Sequence, residues 1–410
     1  MILKTEAFKS LQIPEFRNFI SGRLFITLAY MVQAVTVGWQ VYELTKDPLS
    51  LGLIGLAEAI PSIITALFSG HIVDISDRKK ILLSSYSLLF LCSILLFFIS
   101  TNVVDLTNMQ RVIYIYSVIF ISGIARGFVM PSSFAFMAQL VPRVIYSNAV
   151  TWNINIWQIG AVLGPAIGGL IYGFYGVSIS YLTVVILIGG AIFAMSFISK
   201  KPIPELSDHY NLSDRLTAGI KFVFKNKIIL GAITLDLFAV LFGGTVAMLP
   251  VFASDILFTG PQGLGILRAA PAVGAVLMSL YLAHRPPTLN AGRNLIVSVA
   301  GFGLSIIVFA ISKSFLMSLI ALAFSGMFDS VSVIIRHTII QLNTPENMKG
   351  RVSAVNSIFI GSSNEIGAFE SGLAAKLMGV VPSVIFGGVM TLVVVTAVTL
   401  LSPPIRKLKL

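Results

Sequence analysis

Long apolar runs separated by short polar segments fill the chain from one end to the other. Runs of spanning length occupy about 16–42, 49–75, 81–100, 110–140, 147–173 and 177–199. After a polar break they resume at about 228–255, 262–284, 295–312, 315–342, 352–378 and 382–401. A helix needs roughly 20 residues to cross a bilayer, so the pattern predicts twelve transmembrane helices, several long enough to tilt or protrude. Residues 200–227 form the only long polar interruption. They hold Asp208, His209, Asp214 and Arg215, followed by an amphipathic piece, Leu216–Phe224. The expected organisation is a six-helix bundle over residues 1–199, a linker over 200–227 and a second six-helix bundle over 228–410.

Composition agrees with lipid as the main solvent. Of 410 residues 56% are hydrophobic and 11% charged, and mean hydropathy is +0.93. A soluble domain carries about a quarter charged residues, so little of this chain is left for a soluble catalytic domain. The formal charge of +11 would suit nucleic acid if it were spread over a surface. Here it tracks the loops. Twelve spans put both termini on one side, and 21 of the 28 Lys and Arg fall there, Arg23, Arg78, Lys79 and Lys80 among them. Four (Lys46, Arg111, Lys313, Lys376) fall opposite, and Arg126, Arg268 and Arg336 lie within spans. Positive loops stay inside, which predicts cytoplasmic termini and no nucleic-acid partner. The polar N-terminus lacks the apolar core of a cleaved signal peptide, so the first span is expected to serve as an uncleaved insertion signal. Cys92 stands alone and cannot form an internal disulfide. His71, His209, His284 and His337 are scattered, and neither a phosphate-binding loop nor a nucleophile elbow is present, so no metal, cofactor or enzymatic activity is expected.

Three strings carry mechanism. The loop after the second span reads Gly70-His-Ile-Val-Asp74-Ile-Ser-Asp77-Arg78-Lys79-Lys80. The fifth span contains Gly160-Ala-Val-Leu-Gly164-Pro165-Ala-Ile-Gly168-Gly169; glycines four apart give a smooth helix face for close packing, and the proline favours a kink. Late in the chain come Arg336-His-Thr-Ile-Ile-Gln341-Leu-Asn-Thr-Pro345, Gly350-Arg351-Val-Ser-Ala-Val-Asn356 and Gly361-Ser-Ser-Asn364-Glu365-Ile-Gly367. Gln139-Leu-Val-Pro142 resembles Gln341-Leu-Asn-Thr-Pro345 about 200 residues on, which suggests a duplicated six-helix unit. Together with Trp39-Gln-Val-Tyr42-Glu-Leu-Thr45, the chain resembles the major facilitator superfamily nearly end to end, in its bacterial enterobactin-exporter and drug-efflux branch. The loop departs from the family pattern, with Asp77 at its second glycine and Ile75 at its first basic position. The resemblance implies two pseudo-symmetric bundles around a midplane substrate site, a loop at Gly70, Asp74, Asp77, Arg78 and Lys79 that locks the halves, and an antiporter motif in the fifth span.

A charge at membrane depth costs at least ~3 kcal/mol, so each one calls for a partner, a cavity or a function. Glu58, Arg126, Asp236, Arg268, Asp329, Arg336, Glu365 and Glu370 are such residues. An offset of 203 from Pro142 to Pro345 also carries Arg126 onto Asp329. The resemblance places the first, fourth, seventh and tenth spans around the cavity, where these two would bring opposite charges. One reading is a fixed ion pair, with Asp236 and Arg336 as further partners. The other gives proton exchange to Asp329 or Asp236, with Glu365 as an alternative carrier and Arg126 holding an anionic substrate. Glu58 completes the set of coupling candidates, and Tyr30, Trp39, Phe128, Phe238 and Phe242 would stack on a substrate ring. The expected function is proton-gradient-driven export of a small amphipathic molecule, a siderophore or drug-like compound, by a monomer in the bacterial inner membrane. Lysophospholipid transport and, as a different class, a membrane-embedded sensor or enzyme are the alternatives.

Overall fold

A computed structural model of the chain describes residues 8–101, 105–203, 220–285, 290–345 and 348–401. Most of the linker, including Asp208, His209, Asp214, Arg215 and the start of its amphipathic piece, lies outside them. The described residues form helices and connecting turns only. The long ones are α1 (Pro14–Thr45), α2 (Pro48–Ile75), α3 (Arg78–Ser100), α4 (Asn108–Leu140), α5 (Tyr146–Ser196), α6 (Lys227–Phe242), α7 (Gly260–His284), α8 (Ala291–Ile311), α9 (Phe315–Asn343), α10 (Lys349–Met378) and α11 (Val380–Leu401).

Among the described residues, ten helical stretches are long and apolar enough to cross a membrane. The twelve expected segments are nonetheless present. The 51-residue α5 holds the fifth and sixth, joined at Gly176, whose φ of 82° and ψ of 179° are not helical. The eleventh is α10, of spanning length but interrupted by Asn356, Ser363, Asn364, Glu365, Glu370 and Ser371. The seventh runs on from α6 through a break at Gly243 and Gly244, then a 3-10 turn over Thr245–Met248 and a π turn over Phe252–Ile256.

The contacts of α5 show that it reverses at Gly176. Its Gly160, Gly164 and Gly168 meet Thr27, Met31 and Val32 of α1 in ascending order, whereas Gly190 meets Phe25 and Ala191 meets Gly22 in descending order. The first half therefore runs parallel to α1 and the second antiparallel. Gly379, between α10 and α11, has φ 90° and ψ 157°, and it lies 203 residues after Gly176. A side chain at positive φ clashes with its own backbone, which leaves glycine as the residue suited to both turns. The duplication inferred from Pro142 and Pro345 thus recurs in backbone geometry.

The chain divides into two compact units: Met1–Lys46 with Ala57–Asp208, and Asp47–Leu56 with His209–Leu410. In the first, Phe16, Phe19, Leu82, Tyr86, Phe136, Ala149, Ala191 and Met195 form a buried core. In the second, Ile229, Leu235, Leu295, Ile335, Ile339 and Val352 do so. Lipid tails are as apolar as leucine, so close van der Waals contact, more than burial from water, holds such helices together. The first turns of α2 belong to the second unit, where Gly52 packs on Ala368 and Phe369 of α10 and Asp47 accepts from Lys376 at 3.0 Å.

Candidate functional site

In the first unit, α4 approaches α2 through glycine. A Cβ on Gly123 would lie 2.6 Å from the Glu58 carbonyl oxygen and 2.7 Å from Pro61, and one on Gly127 would strike Thr65. This contact brings Arg126, one turn along from Gly123, against Glu58, and the two form a direct ion pair. Their side chains keep 21% and 18% of their surface exposed. The Arg126 guanidinium also lies 4.3 Å from the ring centroid of Tyr30 on α1. Arg126 is therefore held from two sides within its own unit, and its ion-pair partner is Glu58 where the repeat offset suggested Asp329.

The second unit repeats the glycine contact with different charges. Gly326, 203 residues after Gly123, meets the Pro271 backbone of α7, and Gly274 of α7 meets the Ala323 backbone. Asp329 follows one turn later and is partly buried. It forms no ion pair with any described residue. The unit's ion pair joins Arg336 of α9 to Asp236 of α6, and these residues are only 2% and 6% exposed. In the same unit, the buried Ser332 Oγ and the Asn356 Oδ1 of α10 have no hydrogen-bond partner among the described residues. Glu365 lies on α10 near Gly55, a hypothetical Cβ of which would sit 3.4 Å from its Oε2.

The aromatic candidates divide. Tyr30 contacts Arg126. Trp39 packs edge-on to Tyr172, whose hydroxyl donates to Glu43 at 2.7 Å. Phe238 stacks on Phe242, which meets Phe386 of α11 edge-on. Phe128 is half-buried on α4.

The loop residues fasten helix ends of their own unit. The Asp77 carboxylate caps α3 by accepting from the Lys80 N–H at 3.2 Å. Arg78 donates to the Ala135 carbonyl of α4 at 3.0 Å and lies 3.9 Å from Asp74. Lys79 donates to the Ser196 and Ile198 carbonyls, at the carboxyl end of α5. Cations there suit the negative pole of the helix dipole. No described atom lies within 4 Å of a Cβ on Gly70, and Asp74 is exposed. In α5, Gly160, Gly164, Pro165, Gly168 and Gly169 are all buried, and the first, second and fourth of these face α1 as the smooth stripe predicted.

Two polar groups escaped the sequence reading. Gln40 accepts from the fully buried Tyr181 hydroxyl at 2.7 Å, next to the Glu43–Tyr172 bond. Arg23, counted among the loop charges, is the tenth residue of α1 and donates through Nε to Asn153 Oδ1 at 3.3 Å. Its place inside the first apolar run was the available signal.

Comparison with known proteins now fits this geometry. Residues 5–409 match the family described as transmembrane secretion effector. The chain belongs to that family. Relatives from several bacteria carry the name enterobactin exporter EntS. The one from Salmonella typhi is 24% identical over 382 residues, covering 92% of this chain and 89% of the relative. The one from Escherichia coli O1:K1 / APEC is 24% identical over 405 residues, covering 97% and 94%. Among solved structures, a D-xylose–proton symporter matches with TM-score 0.73 at 14% identity over 99% of this chain and 100% of its own. The nucleoside transporter NupG matches with TM-score 0.75 at 13% identity over 96% and 100%. The fold is that of major facilitator transporters, and this transmembrane secretion effector is a multi-pass secondary transporter and not an enzyme.

Proposed function

We propose that the chain is a proton-coupled exporter of a small amphipathic molecule, siderophore or drug-like, acting by alternating access in the bacterial inner membrane with both termini in the cytoplasm. The observation that carries this reading is the unequal treatment of the membrane-depth carboxylates. Glu58 is held by Arg126 and Asp236 by Arg336, whereas Asp329 has no ionic partner among the described residues. Water or a nearby cation favours a carboxylate and desolvation favours the acid. Asp329 is thus a carboxyl group available to load and release a proton as its surroundings alternate between wet and dry. Arg126, about a fifth exposed and backed by Tyr30, can trade Glu58 for an anionic group on the substrate. The names of the relatives support a siderophore-like cargo, and the glycine stripe of α5 supports export.

The test uses the purified protein in lipid vesicles, with a substrate first found by thermal shift across catecholates and common efflux compounds, since a bound ligand raises the melting temperature. An imposed pH gradient should drive flux through the wild type. Asp329→Asn should still exchange substrate across the membrane but no longer respond to the gradient. Full gradient-driven flux in that variant would end the proposal for Asp329.

A further inference from the structure

We infer that Arg23, Tyr86 and Ser133 form an anion-binding site inside the first unit that takes the acidic oxygen head of the transported molecule; this deepens, and rests on, the transport reading above. Tyr30 lies within electrostatic reach of two guanidinium groups, Arg23 and Arg126. Arg126 is answered by the Glu58 carboxylate. Arg23 is left without a carboxylate among the described residues. Its neighbours are neutral. Nε donates to Asn153, a buried residue of α5, which fixes the plane of the guanidinium. Tyr86 of α3 stands against Arg23 and Ser133 of α4. Yet the hydroxyls of Tyr86 and Ser133 are buried without a well-formed hydrogen bond among the described residues, as are those of Ser132 and Tyr30.

A pin between α1, α3 and α5 would need no formal charge; a glutamine would hydrogen-bond as well. A permanent cation inside a membrane helix calls for a counter-charge, and buried hydroxyls call for acceptors. Both demands are met at once by an oxygen anion. The planar guanidinium gives paired donors to a carboxylate, catecholate or phosphate, and the phenol and serine hydroxyls add single ones. That chemistry has two sources, an organic acid or a lipid headgroup.

Calorimetric titration of the full chain in phosphatidylcholine nanodiscs separates them, using 2,3-dihydroxybenzoate, the neutral ring catechol, and lysophosphatidylglycerol as probes. The acid should bind the wild type and bind Arg23→Gln at least roughly tenfold more weakly, the loss expected of a charge-assisted contact. Arg23→Lys should lose less, Tyr86→Phe a few-fold, and catechol should not distinguish the variants. Dependence on Arg23 for the lysolipid alone would keep the site and make its ligand a headgroup. Equal affinity of wild type and Arg23→Gln for both anions, or no binding of either by the wild type, would overturn the site. So would a parallel loss of acid and catechol together with a lowered melting temperature, the mark of a mere pin. Proton-driven flux of the wild type is measured beside it. Flux with binding indifferent to Arg23 removes this site alone, and Arg23-dependent binding without flux removes the transport reading alone.

Discussion

The two ion pairs at membrane depth use the same chemistry in different surroundings. Arg336 and Asp236 are sealed among packed helices. Arg126 and Glu58 keep about a fifth of their surface open and rest against an aromatic ring. A sealed pair cannot trade partners without disturbing the packing around it, which suits a scaffold. An accessible pair can exchange a carboxylate for a ligand, because water softens the transition. The sealed pair lies in the second unit and the more open pair in the first.

Breaking the sealed pair should have the largest effect. Removing one partner of a buried ion pair strands the other and costs about 3–5 kcal/mol. Arg336→Met and Asp236→Leu should each lower the melting temperature in detergent sharply, and the double variant should recover most of the loss. Single variants that melt like the wild type would show that this pair is not scaffold. The open pair should behave in the opposite way. Arg126→Gln should lower the melting temperature less than either sealed-pair variant, because Glu58 keeps part of its surface open. Vesicle flux should nonetheless fall by roughly tenfold or more, equivalent to about 1.4 kcal/mol of lost substrate interaction. A variant that is unstable yet transports at the normal rate per folded molecule would reverse the assignment. The smallest effect belongs to Tyr30. Tyr30→Leu removes a cation–π contact of about 0.5–2 kcal/mol and should weaken substrate binding a few-fold, while Tyr30→Phe should keep it. Equal affinities in both variants would leave the ring with a packing role only.

Much of the fold was legible because lipid imposes a simple rule on the sequence: apolar for the width of the bilayer, then polar. Residues at a fixed offset, such as Pro142 and Pro345, also disclosed the repeat. The partner of each charge was harder to read. The offset relates Arg126 to Asp329 by descent, but an ion pair depends on which helix face is nearest. Here that is set by Gly123 closing on Glu58 and Pro61, a contact between residues some 65 positions apart with no local signature. The setting of Arg23 was hard to read for a related reason. A positive charge near the start of a span looks like a loop charge until the helix is seen to begin at Pro14. The tryptophan and phenylalanine candidates are hard to rank from sequence because packing and stacking on a ligand call for the same side chains.

Gly176 and Gly379 let consecutive spans reverse on a single residue, and exposed Phe174 and Tyr175 stand just before the first of them. Such a pair has no connecting strand for a protease to cut or an antibody to grip. Tags meant to report topology must therefore go elsewhere along the chain.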